Sequence, residues 1–177
     1  QFLETLIFPF KKTITNLGIE VFFSNKEQDR WVIQEVFKGK RNGYFVDLAA
    51  TDGIRGNNTF VLERNYGWKG ICIEPNPVYF KNLSKNRKAI NCNQCLAEEE
   101  KEVEFIFNGA IGGIIEDDCD NNYIKRQGLI EKFRKKGLVI KLQTKRFEQL
   151  LEDNNAPPTI DYLSLDIEGA ETQVFKN

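Results

Sequence analysis

The sequence predicts an α/β fold, because a strand, a helix and a second strand follow one another closely. Residues 44–46 are apolar and rich in types that favour β-strands, and small residues suited to a tight turn follow Asp47. Apolar residues 60–62 belong to a helix, and residues 70–73 form a second buried strand that ends at Glu74. This order predicts a βαβ unit with parallel strands.

The helix of this unit has recognisable ends. Asn58 and Thr59 are residue types that cap helices, and Gly67 is a typical stop signal. Pro75 directly follows the second strand and prevents its continuation. The turn after Asp47 and the end of the second strand are therefore predicted to lie at one edge of the sheet.

Two carboxylates at that edge indicate a binding site. Asp47 and Glu74 each follow a strand, and ligands of open α/β sheets bind beyond the carboxyl ends of the strands. Glu74 lies about 20 residues after Gly53, where a Rossmann-like site carries the acid that accepts hydrogen bonds from ribose hydroxyls. We therefore expect a nucleoside to bind here.

The turn lacks the glycine pattern G-x-G-x-x-G. Ala49 stands where the first glycine would be, and only Gly53 and Gly56 follow. A dinucleotide pyrophosphate requires that close approach of glycine backbone. The missing glycines argue against NAD and FAD, and favour a nucleoside cofactor without phosphates, of which S-adenosylmethionine is the commonest.

Four features of the chain resemble the FkbM-type family of S-adenosylmethionine-dependent methyltransferases. They are FVDLAATDG at residues 45–53, NNTFVLERNYGWKGICIEPNP at residues 57–77, Arg87, and IDYLSLDIEGAE at residues 160–171. The resemblance covers roughly residues 28–176. It implies a Rossmann-like three-layer sandwich of the class I methyltransferase type, and methyl transfer to an oxygen of a sugar or of another hydroxyl acceptor.

The cofactor site is expected at these motifs and at the end of a later strand, residues 161–166. The residues expected to bind S-adenosylmethionine are Asp47, Ala49, Thr51, Gly53, Asn58, Thr59, Glu74, Pro75, Asn76 and Asp166. The family often has glycine where this chain has Ala49, asparagine at Thr51 and serine at Asn57. The methyl group of Ala49 fits this turn if the φ angle of the residue is negative.

A methyltransferase acting on a hydroxyl needs a base to take the proton. The chain contains no histidine, so the base is a carboxylate, a lysine, a tyrosine or a group beyond these residues. Asp166 and Glu168 are our candidates as catalytic residues. Asp166 could instead orient the substrate or contact the amino group of the cofactor, and Glu168 could stabilise the start of the following helix.

Two other classes of protein fit part of the pattern. Asp166 and Glu168 resemble an acidic pair that holds a divalent metal and a nucleotide sugar, as in a metal-dependent glycosyltransferase. A non-catalytic binding module that keeps the methyltransferase fold is the third possibility, suggested by Ala49 and by the absent histidine. For the methyltransferase itself we expect no metal site.

Length and composition limit the remaining possibilities. The 177 residues suit one domain, which we divide into an N-terminal accessory segment, residues 1–27, and an S-adenosylmethionine-binding domain, residues 28–177. The chain stops within a predicted helix soon after Glu171, so we expect the domain to be truncated at its C-terminus. A net charge of −1 argues against nucleic acid as a partner.

No apolar run is long enough to cross a membrane, so we expect no transmembrane segment. Four cysteines without the density of a disulfide framework predict a reduced, cytoplasmic protein. The pattern further predicts a helix at residues 77–86, a third strand at residues 89–96, a loop around Gly112 and Gly113, and a helix that begins at Thr144.

Overall fold

The computed structural model describes residues 21–108, 111–115, 128–165 and 174. The strands, in chain order, are β1 (Tyr44–Leu48), β2 (Lys69–Ile73), β3 (Ile90–Cys92), β4 (Cys95–Leu96), β5 (Glu102–Asn108), β6 (Ile111–Ile114), β7 (Val139–Lys145) and β8 (Tyr162–Leu165). The helices are α1 (Gln28–Trp31), α2 (Phe60–Tyr66), α3 (Pro77–Asn86), α4 (Leu129–Lys135) and α5 (Phe147–Asp153), and a π-helical turn, Val32–Val36, continues α1. The fold is therefore mixed α/β, as the sequence predicts.

The first sheet contains four parallel strands in the order β3-β2-β1-β8. The chain proceeds from β1 to β2 and β3 on one side, whereas β8 lies on the other side of β1. The register places Asp47 of β1 between Cys72 of β2 and Ser164 of β8. The strand order thus reverses at β1, and such a switch point is where open α/β sheets bind ligands.

Both faces of this sheet are covered, which explains why β1 and β2 are almost continuously apolar. On one face Phe45 packs in a cluster with Leu62 of α2, and on the other face Val46 packs in a cluster with Leu150 of α5. Because side chains alternate along a strand, Asp47 points to the same face as Phe45. The carboxylate of Asp47 is thereby directed toward the start of α2.

Helix α2 ends, and helix α3 begins and ends, where the sequence predicts, but neither Asn58 nor Thr59 caps the start of α2 with its side chain. Gly67 ends α2 with a φ angle of 70°, a conformation that favours glycine. Helix α3 spans Pro77–Asn86, and the side chain of Asn76 caps it by accepting a hydrogen bond from the Val78 N–H at 3.0 Å. These two helices fix the positions of the loops at the edge of the sheet.

The second sheet has the order β4-β7-β5-β6, and only the pairing of β4 with β7 is parallel. The predicted strand at residues 89–96 is wrong as one element, because β3 belongs to the first sheet and β4 to the second. Between them the side chain of Asn93 donates hydrogen bonds to the carbonyls of Glu74 and Pro75 at 2.8 and 3.2 Å. These bonds hold the chain where it leaves one sheet for the other.

Two further predictions in this region are wrong. Thr144 lies in β7 and does not cap a helix, because its hydroxyl donates to the Glu99 carbonyl at 2.6 Å and the next helix, α5, begins at Phe147. Gly112 and Gly113 belong to strand β6, which pairs with β5. For Thr144 a partner distant in sequence decides the local structure, whereas Gly112 and Gly113 pair with the preceding strand of the same hairpin.

The described part of the N-terminal segment packs on α2. Phe23 is buried, and its ring lies 4.9 Å from the ring of Phe60 in an edge-to-face arrangement. Residues 1–20 of the predicted accessory segment lie outside the described residues. Among the helices described here, none combines the length and the apolar character needed to span a bilayer.

Candidate active site

Glu74 joins the two strand ends that form the candidate site. It follows β2 directly and is only 4% exposed. One carboxylate oxygen, Oε2, accepts the Thr51 N–H at 2.8 Å, and the other, Oε1, accepts the Asn76 N–H at 2.8 Å. The carboxylate of Glu74 thus connects the turn after β1 to the start of α3.

Burial is the main influence on the acidity of Glu74. Removal from water disfavours the charged carboxylate and raises its pKa from an ordinary 4.5 to about 7, and the nearby charge of Asp47 acts in the same direction. The two backbone N–H donors from Thr51 and Asn76 oppose this change, because they stabilise the charged form. Glu74 therefore titrates close to neutral pH.

The turn between β1 and α2 has an unusual backbone conformation. Ala49, Thr51 and Gly53 have φ angles of 60°, 51° and 80°, in the left-handed region that L-residues rarely adopt. The condition under which the methyl group of Ala49 fits this turn, a negative φ angle, is therefore not met. Past Leu48 the Ala50 N–H donates to the Ile73 carbonyl at 3.0 Å, and the Gly53 N–H donates to the Ala50 carbonyl at 2.9 Å, which closes the turn.

Replacing Ala49 with glycine should stabilise the free protein by about 1 kcal/mol, because glycine adopts a left-handed conformation without the steric cost that alanine has. The urea concentration at the midpoint of unfolding should rise. Ala156→Gly is the matched control, because Ala156 has no positive φ angle and the same change should lower stability there. An unchanged or lower midpoint for Ala49→Gly would contradict the strained turn.

Asp47 lies at the centre of a buried polar network. Its Oδ2 atom accepts hydrogen bonds from the Asn57 side-chain amide at 2.8 Å and the Thr59 hydroxyl at 2.7 Å, and the Ser164 hydroxyl also bonds to this carboxyl. Burial raises the pKa of Asp47, although the charge of Arg87 and these three hydrogen bonds lower it in part. The network links β1 to α2 and to β8.

Arg87 supplies the positive charge of this network. Its guanidinium is fully buried and forms an ion pair with Glu63, with Nε and Oε2 at 2.8 Å. It also donates to the side-chain oxygens of Asn57 and Thr59 at 2.9 and 3.0 Å, and to the Gly53 carbonyl at 3.2 Å. Arg87 therefore contacts the turn after β1 through Gly53 and the start of α2 through Thr59.

The structure brings together most of the residues that the sequence predicts for the cofactor site, but some of them are partly exposed and others are buried behind the surface. Ala49, Thr51 and Pro75 are partly exposed at the strand edge, beside Glu74. Thr59 is fully buried, and Asn76 uses its side chain to cap α3. Thr59 and Asn76 thus lie behind the surface at which a ligand could bind.

Asn58 lies at the switch point between β1 and β8. Its side-chain amide donates to the Ser164 hydroxyl at 3.1 Å, so it supports β8 instead of capping α2. Its oxygen, Oδ1, is buried and has no hydrogen-bond partner within the described part of the chain. The predicted catalytic residues Asp166 and Glu168 lie outside the described residues, directly after β8.

Sequence reasoning missed three members of the buried network. Arg87 was recognised only as part of a motif, Asn57 only as a departure from the family pattern, and Ser164 only as a residue of a strand. One signal in the sequence could have indicated Ser164, since it is the small polar residue in an otherwise apolar strand run. For Arg87 no local pattern indicates burial, because its partners lie 24 to 34 residues earlier.

No group of three or more potential metal-binding side chains occurs within residues 21–108, 111–115, 128–165 and 174. The acidic pair that suggested a metal-dependent glycosyltransferase, Asp166 and Glu168, is not part of those ranges. The described strand edge thus offers carboxylates that accept hydrogen bonds from backbone and side-chain donors. Such carboxylates suit ligands that carry hydroxyl or amino groups.

Comparison with known families identifies this region. A family model described as the methyltransferase FkbM domain matches residues 47–177, which is more than half of the chain. The match begins at Asp47 and includes the turn, Glu74 and Arg87. Neither the comparison with curated proteins nor the comparison with solved structures finds a match.

Proposed function

Because the chain belongs to the FkbM methyltransferase domain family, we propose that it is an S-adenosylmethionine-dependent O-methyltransferase that acts on a hydroxyl of a sugar or of another small molecule. Members of this family are methyltransferases and generally depend on S-adenosylmethionine. The observation that carries the proposal is Glu74, whose carboxylate is held at the end of β2 beside the turn that follows β1.

The carboxylate of Glu74 has the acceptor capacity that a ribose requires. An ionised carboxylate offers about four lone-pair positions, and hydrogen bonds from Thr51 and Asn76 occupy two of them. One position thus remains on each oxygen, so the carboxylate suits two adjacent hydroxyl groups. Glu74 is our proposed ribose-binding residue.

The strained turn also supports a cofactor site next to Glu74. Left-handed conformations at Ala49 and Thr51 are unfavourable, and such strain is typical of binding sites and active sites. The turn brings the backbone of residues 49–53 to the edge of the sheet with small side chains on it. We propose that Ala49, Thr51, Gly53 and Pro75 form the wall of the cofactor site around Glu74.

The residues at the switch point complete the proposed site. The buried Oδ1 atom of Asn58 lacks a partner among the described residues, and an unpaired buried acceptor costs about 1–3 kcal/mol. This atom is suited to a donor such as the amino group of the cofactor. The hydrogen bond of Thr59 to Asp47 stabilises the start of α2 beside the site, and Asn76 stabilises the start of α3 by capping it.

When bound, S-adenosylmethionine supplies a methyl group on a positively charged sulfur. The chain's own residues contribute alignment and exclusion of water, which are the main sources of rate enhancement for such a displacement. Asp166 or Glu168 takes the proton of the acceptor hydroxyl in this proposal. Asp166 follows β8, which pairs directly with the central strand β1.

The finer description of the fold is also part of the proposal. Four parallel strands with apolar clusters on both faces support a Rossmann-like three-layer sandwich of the class I methyltransferase type. Residues 28–177 form the cofactor-binding domain and residues 1–27 an accessory segment. A cytoplasmic location is supported by the free thiols of Cys72, Cys92 and Cys95, and the net charge of −1 favours an acceptor other than nucleic acid.

A transfer assay tests this function. The purified chain is incubated with S-adenosylmethionine and a panel of methyl glycosides, free sugars and hydroxylated aromatic compounds, and S-adenosylhomocysteine is quantified together with the mass of each acceptor. We expect one acceptor class to gain a methyl group at oxygen. Transfer to nitrogen or carbon only would contradict O-methylation, and sugar transfer from a nucleotide sugar with manganese would indicate the glycosyltransferase.

A further inference from the structure

We propose that Arg87 is a positioning residue for cofactor binding, because its buried guanidinium holds residues 51–59 in the conformation that receives the cofactor. The importance of this turn for a ligand rests on the proposed function. The contacts of Arg87 are independent of that function.

The guanidinium of Arg87 contacts residues 51–59 near the start, in the middle and at the end of this segment. Its Nη1 atom donates to the Gly53 carbonyl at 3.2 Å and to Oδ1 of Asn57 at 2.9 Å, and Nη2 donates to the Thr59 hydroxyl at 3.0 Å. The guanidinium is planar and rigid, so the three acceptors are fixed relative to one another. A single flexible ammonium group does not provide this geometry.

The burial of Arg87 points to a geometric role. Its side chain is 0% exposed, so its positive charge needs compensation inside the protein. The ion pair with Glu63 provides this, as do the rings of Phe45 and Phe60, whose centroids lie 5.3 and 5.8 Å from the guanidinium carbon. Stability alone is a weak reason to bury an ion pair, because apolar replacements of similar volume are often equally stable. Positioning of the turn is a better account of why a guanidinium is found here.

The turn also packs directly on the aliphatic part of Arg87. A methyl group added at Gly53 would lie 2.6 Å from Cγ of Arg87 and 2.7 Å from Cδ1 of Leu83. Strained backbone persists only where neighbouring groups hold it. Glu74 holds the turn at the Thr51 N–H, and Arg87 holds it at the Gly53 carbonyl.

The same contacts extend to the switch point. Thr59 accepts a hydrogen bond from Arg87 and donates one to Asp47, and Asn57 bridges the same two residues. Asp47 in turn lies beside Ser164 of β8. Arg87 therefore fixes both the turn next to Glu74 and the position of Asp47 between β1 and β8.

The test compares wild type with Arg87→Lys in two measurements. The first is calorimetric titration with S-adenosylhomocysteine, for which we expect the affinity of Arg87→Lys to fall by roughly tenfold or more. The second is amide hydrogen exchange in the free protein, for which we expect roughly tenfold faster exchange at residues 51–55 and unchanged exchange in β5 and β7. Ile106→Ala is the control, because Ile106 is buried in β5, away from this turn.

The outcomes separate the two proposals. Failure of wild type to bind S-adenosylhomocysteine contradicts the proposed function, and hydrogen exchange still tests the contact of Arg87 with the turn. Arg87 has no positioning role if Arg87→Lys exchanges and binds like wild type. The same conclusion follows if Ile106→Ala, at an equal loss of Tm, loses as much affinity as Arg87→Lys.

A milder variant covers the case in which Arg87→Lys does not fold. Glu63→Gln removes the charge partner of Arg87, and the Glu63 side chain bonds to Arg87 and to the Lys88 N–H but to no described residue of 51–59, so any effect on the turn must pass through Arg87. We expect a loss of affinity of roughly threefold together with faster exchange confined to residues 51–55. Wild-type values in both measurements would overturn the role of Arg87.

Discussion

Replacement of Glu74 by glutamine should weaken the binding of S-adenosylhomocysteine by roughly 10- to 100-fold, which corresponds to about 1–3 kcal/mol. The carboxylate accepts the Thr51 and Asn76 N–H groups and still has one free acceptor position on each oxygen. An amide has one oxygen and no charge, so it cannot serve the two backbone donors and two ribose hydroxyls together. Titration calorimetry measures the change.

The matched control is Glu104→Gln. Glu104 lies in β5 and its carboxylate pairs with Arg134, far from the candidate site, so the same chemical change there should leave the affinity as it is in wild type. Circular dichroism establishes that both variants are folded. Equal affinities of folded Glu74→Gln and wild type would show that Glu74 does not bind the cofactor.

The affinity for S-adenosylhomocysteine should depend strongly on pH, with weaker binding in acid. Burial raises the pKa of Glu74 to about 7, and in the proposed site the ionised carboxylate is the form that accepts both ribose hydroxyls. Below this pKa the affinity should fall by up to about tenfold per pH unit, so it should be roughly 100-fold lower near pH 5 than near pH 8. Titrations in that range measure the effect.

The sign of this dependence follows from the proton that binding releases. The free protein holds a proton on Glu74 below about pH 7, and the ligand selects the ionised form. Calorimetry in buffers of different ionisation enthalpy should therefore detect proton release near pH 6. Glu74→Gln should bind weakly with little pH dependence, and a similar pH dependence in this variant would assign it to another group.

The same shift affects the stability of the free protein. Since the folded-state pKa of Glu74 is raised above its ordinary value of 4.5, the folded state binds more protons than the unfolded state between pH 4.5 and about 7. The contribution of Glu74 to stability is then greatest below pH 4.5, and it decreases as the pH rises through 7, by about 3 kcal/mol at most. Ligand binding should offset this loss.

Local sequence patterns predicted the two strands β1 and β2 of the first sheet well. Strands β1 and β2 are buried on both faces, and their apolar runs are long enough to be recognised. The second sheet was harder to predict, because β4 and β5 both pair with β7, which follows much later in the chain. Thr144 illustrates this, since its hydroxyl bonds to the carbonyl of Glu99, and this tertiary contact outweighs its local preference for capping a helix.

The candidate site likewise combines residues that local patterns predict with residues that they do not. Glu74 could be predicted because its chemistry and its distance from the turn follow from a local βαβ unit. The positive φ angle of Ala49 could not be predicted, because alanine rarely adopts a left-handed conformation and nothing in the local sequence indicates one. Arg87 escaped prediction for a similar reason, because nothing in its immediate sequence shows that four acceptors from α2 and the preceding turn surround it.

The most direct test of the proposed site is calorimetric titration of the wild-type chain near pH 8 with S-adenosylhomocysteine, with NAD and with a nucleotide sugar plus manganese. The proposed site predicts micromolar binding of S-adenosylhomocysteine and no binding of the other two ligands. Binding of the nucleotide sugar instead, or of none of the three ligands by the folded chain, would contradict a cofactor site built on Glu74.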